Sequence, residues 1–386
     1  VKSPQQPTRK QRFQQVIGAI TGEIEPVRIS LGYRLAAAAV TGVMLLLPVV
    51  YLCVILAAIW AMGYHATHHA AILRVGRPRG MLIMLVVYLA PIVIGVTVII
   101  FMFKPFFAHE RQTGRTRSIT RHSEPILFAL VEKICELVGA PMPKRIDVDC
   151  EANASASLRR GMLSLFESDD LVLTIGMPLV MSLNTRQFVG VLAHEFGHFA
   201  QSSGMRLSYV VRLVSAWLAS AVYRRDSWDE WLAAQADDES WLAWLFVCAQ
   251  GGVWLTRRIL WCLMMLGSLS ASLLLQRMEF DADQYEAKVA GSDAFESTMR
   301  HMVELGAAYG DAVGALYHYF CEGRLADNLP MLVEYHRSRM QPEHREQLQK
   351  SVDESQSSWF RTHPAPSARI SQALAAEAEG IFQLEI

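Results

Sequence analysis

The residues best suited to chemistry are His194, Glu195 and His198, in the run Val191-Leu192-Ala193-His194-Glu195-Phe196-Gly197-His198-Phe199. The pattern is H-E-x-x-H. Residues four apart share one face of a helix, so both imidazoles can aim a nitrogen at one metal ion. Glu195 is then placed to act as general base on a water held there. The bland alternative is a chance match on a buried helix, expected on the order of a few per cent of the time in a chain this long.

Catalytic zinc takes three protein ligands and keeps one position open. The missing ligand must be a His, Asp or Glu brought from elsewhere. The best candidate is Glu279, in Gln276-Arg-Met-Glu-Phe-Asp-Ala-Asp283, where a helical segment is predicted to open. Glu279 and Asp283 are four apart and share a face. One can ligate while the other orients a ligand histidine. By itself such a run reads as a solvated acidic helix face. Downstream of H-E-x-x-H it reads as the rest of the site, and one zinc ion per chain is the implied cofactor.

The elements that must position these residues are unusually apolar. The chain has 386 residues, 52% of them hydrophobic and 19% charged. That composition points to a membrane component. A net charge of −1 gives no global basic field for nucleic acid. The six cysteines are scattered without a C-x-x-C pair, which fits a reducing compartment rather than a disulfide framework.

Residues 1–34 read as a polar, solvated tail without the apolar core of a signal peptide. The chain starts at Val1, so further residues are expected upstream. Residues 35–103 read as a transmembrane hairpin, with spans at about 35–62 and 80–103 joined by a loop carrying His65, His68 and His69. That histidine cluster reads as interfacial rather than as a metal site. The first half of a catalytic domain is expected over 104–206. It holds a helix after Glu124-Pro125, a strand at 145–150, a hairpin from 161–166 and 171–175, and a helix capped by Asn184 or Thr185. Residues 207–276 are apolar and rich in Trp and acidic residues. They read as two more membrane or membrane-surface segments, at about 207–223 and 257–275. The second half of the catalytic domain is expected over 277–386.

Basic residues flank the hairpin mainly on the side of its two ends: Arg28 and Arg34 before it, and Lys104, Arg111, Arg115, Arg117 and Arg121 after it. The loop has Arg74, Arg77 and Arg79. The positive-inside rule therefore puts the termini and the site on the cytoplasmic side. The expected location is a bacterial inner membrane. Arg212 alone among ionisable residues falls inside a possible span, too little for a transporter pathway.

With these motifs in order, the chain resembles the integral-membrane zinc endopeptidases of the HtpX heat-shock protease and CaaX prenyl endopeptidase family. The likeness runs over about 35–375. It comprises the hairpin, Asn153-Ala154, His194-Glu195-Phe-Gly-His198, Glu279-Phe-Asp-Ala-Asp283 and Thr362-His-Pro-Ala-Pro-Ser-Ala-Arg-Ile370. The resemblance implies His194, His198 and Glu279 as zinc ligands and Glu195 as the base. It implies Asn153 and Ala154 along the substrate backbone, His363 stabilising the oxyanion, and Arg369 supporting it. Asp283 would orient a ligand histidine.

The fold class is then mainly α, with integral-membrane helices and a zincin-like α/β catalytic domain that has a small sheet beside the H-E-x-x-H helix. The implied partners are a peptide or protein substrate and the lipid bilayer, with no nucleic acid; the oligomeric state stays open. Membrane-protein quality control is the expected task. Processing of lipidated peptides, or a non-catalytic zinc-binding scaffold, are the alternatives, though a scaffold would be expected to have lost Glu195 or a ligand. The charged stretch 324–358 departs from the family pattern and reads as spacing.

Overall fold

A computed structural model of the chain describes residues 9–27, 30–74, 81–107, 116–158, 171–200, 202–225, 227–237, 243–357 and 363–384. Helices dominate. In chain order the elements are α1 (Arg9–Gly18), α2 (Leu31–His68), α3 (Met81–Phe107), β1 (Arg117–Ile119), α4 (Pro125–Val138), β2 (Arg145–Asp149), β3 (Ala154–Leu158), β4 (Leu171–Gly176), α5 (Met177–Ser182), α6 (Thr185–Gly197), α7 (Ser202–Tyr223), α8 (Ser227–Ala236), α9 (Ala243–Ala290), α10 (Ser292–Cys321), α11 (Leu329–Ser338), α12 (Pro342–Asp353) and α13 (Pro366–Ala375). They form two compact units. One gathers Val1–Ala37, Gln112–Ser208 and Ser272–Ile386; the other gathers Ala38–Arg111 and Tyr209–Ala271.

The first unit has a four-stranded mixed sheet in the order β1-β2-β4-β3. β2 and β4 pair in parallel, while β1 and β3 are antiparallel edges. Its core joins the apolar face of α4 (Val131, Ile134), the sheet (Ile146, Leu173, Ile175) and α6 (Val189, Leu192, Phe196). α4 starts at Pro125 and stops at Gly139, whose φ of 75° suits glycine.

Four readings of the sequence change here. First, 1–34 is not simply a solvated tail. Val16 is buried in the core just described, with Ile20, Ile24 and Val27 packed against it, and Ile20 bridges to Phe382. These four recur at near-helical spacing inside a polar stretch, which hid them. Second, the small, polar Asn153–Ser157 run is mostly strand: β3 pairs with β4 from Ala154↔Ile175 to Leu158↔Leu171. Alternating Ser and Ala carries no apolar signal for an edge strand. The expected strand 161–166 and its turn lie outside the described residues. Third, no helix opens at 276. α9 runs unbroken from Ala243 to Ala290, through Gly251, Gly252 and Gly267, and no Pro interrupts it. Fourth, 324–358 is more than spacing. α11 packs Val333 against Leu305 and Ala308 of α10, and α12 packs Val352 against Phe295.

In the second unit, α2 and α3 lie antiparallel. The Tyr51 hydroxyl donates to the Met102 carbonyl at 2.9 Å, and Tyr88 donates to the Ala66 carbonyl at 2.7 Å. Trp217 of α7 donates to the Pro105 carbonyl at 2.9 Å. Among the described residues three helices, at Leu31–Ile72, Leu82–Phe106 and Ala243–Ala290, are long and apolar enough to cross a membrane. Only 11% of the most apolar window of the second is buried, so its apolar side chains face outward. α7 is not among the three. His65 packs beside His69 and Tyr88, and His68 stacks on Tyr64.

Candidate metal centre

α6 delivers the H-E-x-x-H residues. A capping box starts it: Asn184 Oδ1 accepts from the Gln187 N–H at 2.8 Å, and Gln187 Oε1 accepts from the Asn184 N–H at 3.1 Å. Arg186 anchors it to the end of α9. Its Nε donates to the Ala290 carbonyl at 2.6 Å, and its two terminal nitrogens grip Asp293. The two helices approach closely through glycines two turns apart. A Cβ at Gly190 would lie 3.0 Å from the Ala290 Cβ, and one at Gly197 would lie 3.0 Å from the Tyr285 ring and 3.3 Å from the Ala282 Cα. His194 sits between these glycines on the same helix. Small residues there let its imidazole reach the carboxylates of α9.

His194 Nε2 lies 3.7 Å from Glu279 Oε2, and His198 Nε2 lies 3.7 Å from Glu279 Oε1. Each of the three residues offers one donor atom, all within 4.8 Å of one another. Two donors each about 2.1 Å from a tetrahedral ion lie about 3.4 Å apart, so these separations are near the spacing a zinc ion requires. The imidazoles meet edge to face, with centroids 4.9 Å apart and planes at 84°. Glu279 is 2% exposed, a burial that a carboxylate tolerates only with a positive partner. Two imidazoles and one carboxylate suit zinc and leave room for a fourth ligand.

Asp283 approaches the other nitrogen of His194, with Oδ1 3.1 Å from Nδ1; the contact is close but not well aligned as a hydrogen bond. Arg369, from α13, donates through Nε to Asp283 Oδ2 at 2.9 Å and through Nη2 to Oδ1. Burial works against charge on His194, but Asp283 outweighs it and pushes the imidazole up to about 9. A cation on Nε2 would replace the second proton, with Nδ1 still facing Asp283. The Arg369 guanidinium is raised above its ordinary value: burial opposes its charge, and the bond to Asp283 prevails.

Glu286 is a member that the sequence reading passed over. It is 4% exposed, and its Oε2 lies 3.8 Å from His194 Nδ1. Glu279, Asp283 and Glu286 fall at i, i+4 and i+7, a stripe on one helix face that could have revealed it.

Glu195 lies toward the sheet, where its Oε2 accepts from the Ala156 N–H of β3 at 3.2 Å. Asn153 and Ala154 stand apart in their pairing. The Asn153 carbonyl accepts the Gly176 N–H at 2.8 Å, so it faces into the sheet. In the antiparallel register the backbone groups of Ala154 and Ala156 then point to the outer edge. Gly176 is required there, because a Cβ would meet the Glu151 carbonyl oxygen at 1.7 Å. His363 is exposed, with Nδ1 3.1 Å from Glu279 Oε2.

A donor cluster of this kind, beside a strand edge that can take an extended peptide, places the chain among the metallopeptidases. The comparison with known families is more specific. The model of Peptidase family M48 matches residues 124–377, well over half of the chain, and the chain belongs to that family. It is the family that contains HtpX and the CaaX prenyl protease. The match encloses every residue of the cluster. No curated protein and no solved structure matched.

Proposed function

We propose that the chain is a membrane-bound zinc endopeptidase of the quality-control type, acting at the cytoplasmic face. The observation that carries this reading is the meeting of His194 and His198 from α6 with Glu279 from α9. His194, His198 and Glu279 would hold the zinc. Bound there, zinc supplies Lewis-acid polarisation of a carbonyl and lowers the pKa of a coordinated water.

The chain's own residues do the rest. The outer edge of β3 aligns an extended substrate by backbone hydrogen bonds through Ala154, with Asn153 anchoring that edge to β4. Glu195, steadied by the Ala156 N–H, takes a proton from the attacking water and passes it to the leaving amine. His363, beside Glu279, donates to the developing oxyanion. Asp283 and Arg369 fix the His194 ring. The exposed apolar faces of α2 and α3 support residence in a bilayer.

The test is casein cleavage by detergent-purified protein, wild type against Glu195→Gln. Zinc-dependent cleavage by the wild type and none by the variant is expected. Equal cleavage by both would rule out the mechanism.

A further inference from the structure

The second unit contains a cavity of about 640 Å³ between α7, α8 and α9 that the peptidase reading does not use. That volume suits a drug-sized molecule, for which pockets run to about 300–1,000 Å³. Arg225, Arg257 and Arg258 line it, and so do Trp254 and Trp261. From these observations we propose that it binds the phosphate headgroup of a glycerophospholipid, with the acyl chains leaving along its apolar wall. The inference rests on the membrane reading above.

Charge bookkeeping favours an anion. Asp229 also lines the cavity, but it is held by Lys104 Nζ at 2.7 Å and Arg257 Nη2 at 2.9 Å. Arg257 also donates to the Arg224 carbonyl at 3.1 Å, so it is part of the scaffold. Among the described residues, neither Arg225 nor Arg258 has a carboxylate partner. Glu230 is the remaining acid on the wall. Two uncompensated guanidiniums face one carboxylate, and guanidinium geometry matches phosphate oxygens.

Depth favours a lipid over a free ion. Lys104 ends the charge-free run of α3, and Arg257 ends the charge-free start of α9. Asp229 ties these two points together, so the charged layer stands at the end of the α3 run and at the charged break, Arg257-Arg258, between the two charge-free runs of α9. That is where headgroups lie. Arg258 stacks over Trp254 at 5.2 Å, and Trp254 is 59% exposed, as expected of an aromatic anchor at a membrane boundary. Leu232 and Val253 complete an apolar wall that inorganic phosphate could not use.

Two measurements on the full chain test this, the first in membranes and the second in detergent. Alkaline carbonate extraction of membranes first tests membrane residence by itself; release of the chain would overturn that reading regardless of lipid. Native mass spectrometry then compares wild type with Arg225→Gln/Arg258→Gln, using dioleoyl phosphatidylglycerol, dioleoylglycerol and inorganic phosphate as probes. The expected result is that wild type retains phosphatidylglycerol about tenfold better than dioleoylglycerol, as loss of a charge-assisted contact implies. The double variant should lose that preference while keeping the wild-type gel-filtration profile. Trp254→Ala should weaken retention without abolishing it. Equal retention by the double variant, or displacement of the lipid by millimolar inorganic phosphate, would overturn the proposal in a chain that still resists extraction.

Discussion

Arg369 holds both carboxylate oxygens of Asp283, and Asp283 in turn lies 3.1 Å from His194 Nδ1. The His194 imidazole is therefore braced from a helix far along the chain. Removing Arg369 leaves a buried carboxylate uncompensated, which costs about 3–5 kcal/mol for a buried pair. Arg369→Ala should melt at a lower temperature and hold zinc about 10–100-fold more weakly, as loss of a group that orients a ligand does. A chelator titration followed by metal analysis measures this. Arg369→Lys should not restore affinity, because an ammonium cannot make the two-pronged contact.

In the proposed site, proton and metal compete at His194. In zinc-free protein its imidazole is pushed up to about 9. A raised folded-state value stabilises fully below the unfolded value of about 6.5 and is lost as pH rises through the folded value. Chelated protein should thus melt at progressively lower temperature as pH rises from about 6.5 past about 9. Zinc-loaded protein should lack this decline. Thermal melts across that window read both; parallel curves would show that His194 does not carry the effect.

The spacing of α6 and α9 is a packing property. Gly190→Val brings branched methyls against Ala290 and Glu286, where even a Cβ sits at 3.0–3.3 Å. Overpacking of this kind costs about 1–3 kcal/mol. Zinc occupancy should fall with stability, because the two helices supply different ligands. Gly310→Ala, in α10 where a Cβ meets nothing within 4 Å, should instead stabilise by about 0.5–1 kcal/mol. Urea melts distinguish the two signs.

In the proposed mechanism His363 acts on rate rather than on metal binding. His363→Ala should keep its zinc and lose about 10²–10³ in kcat, the usual loss for an oxyanion donor. Unchanged turnover in a casein assay would remove it from the mechanism.

The site was legible where its chemistry is local. H-E-x-x-H declares itself through the four-residue spacing of His194 and His198. Glu279 and Asp283 could be picked out by type and spacing, although the helix holding them begins far upstream of the expected point. What stayed hidden depends on contacts between distant segments. Nothing local distinguishes Gly190 and Gly197 from tolerated helix glycines until α9 is laid against them. Glu286 shares the face of Glu279 and Asp283 by spacing, and its burial is what separates it from a surface acid. Ala156 contributes only a backbone N–H, which every residue but proline carries. Arg369 and His363 came from the family pattern, since no spacing rule links them to His194.

The central claim is that α9 completes a zinc site begun by α6. The most direct measurement is the zinc content of purified wild type, Glu195→Gln and Glu279→Ala. One zinc per chain is expected in the first two, and none in Glu279→Ala. A full zinc complement in Glu279→Ala would contradict the claim.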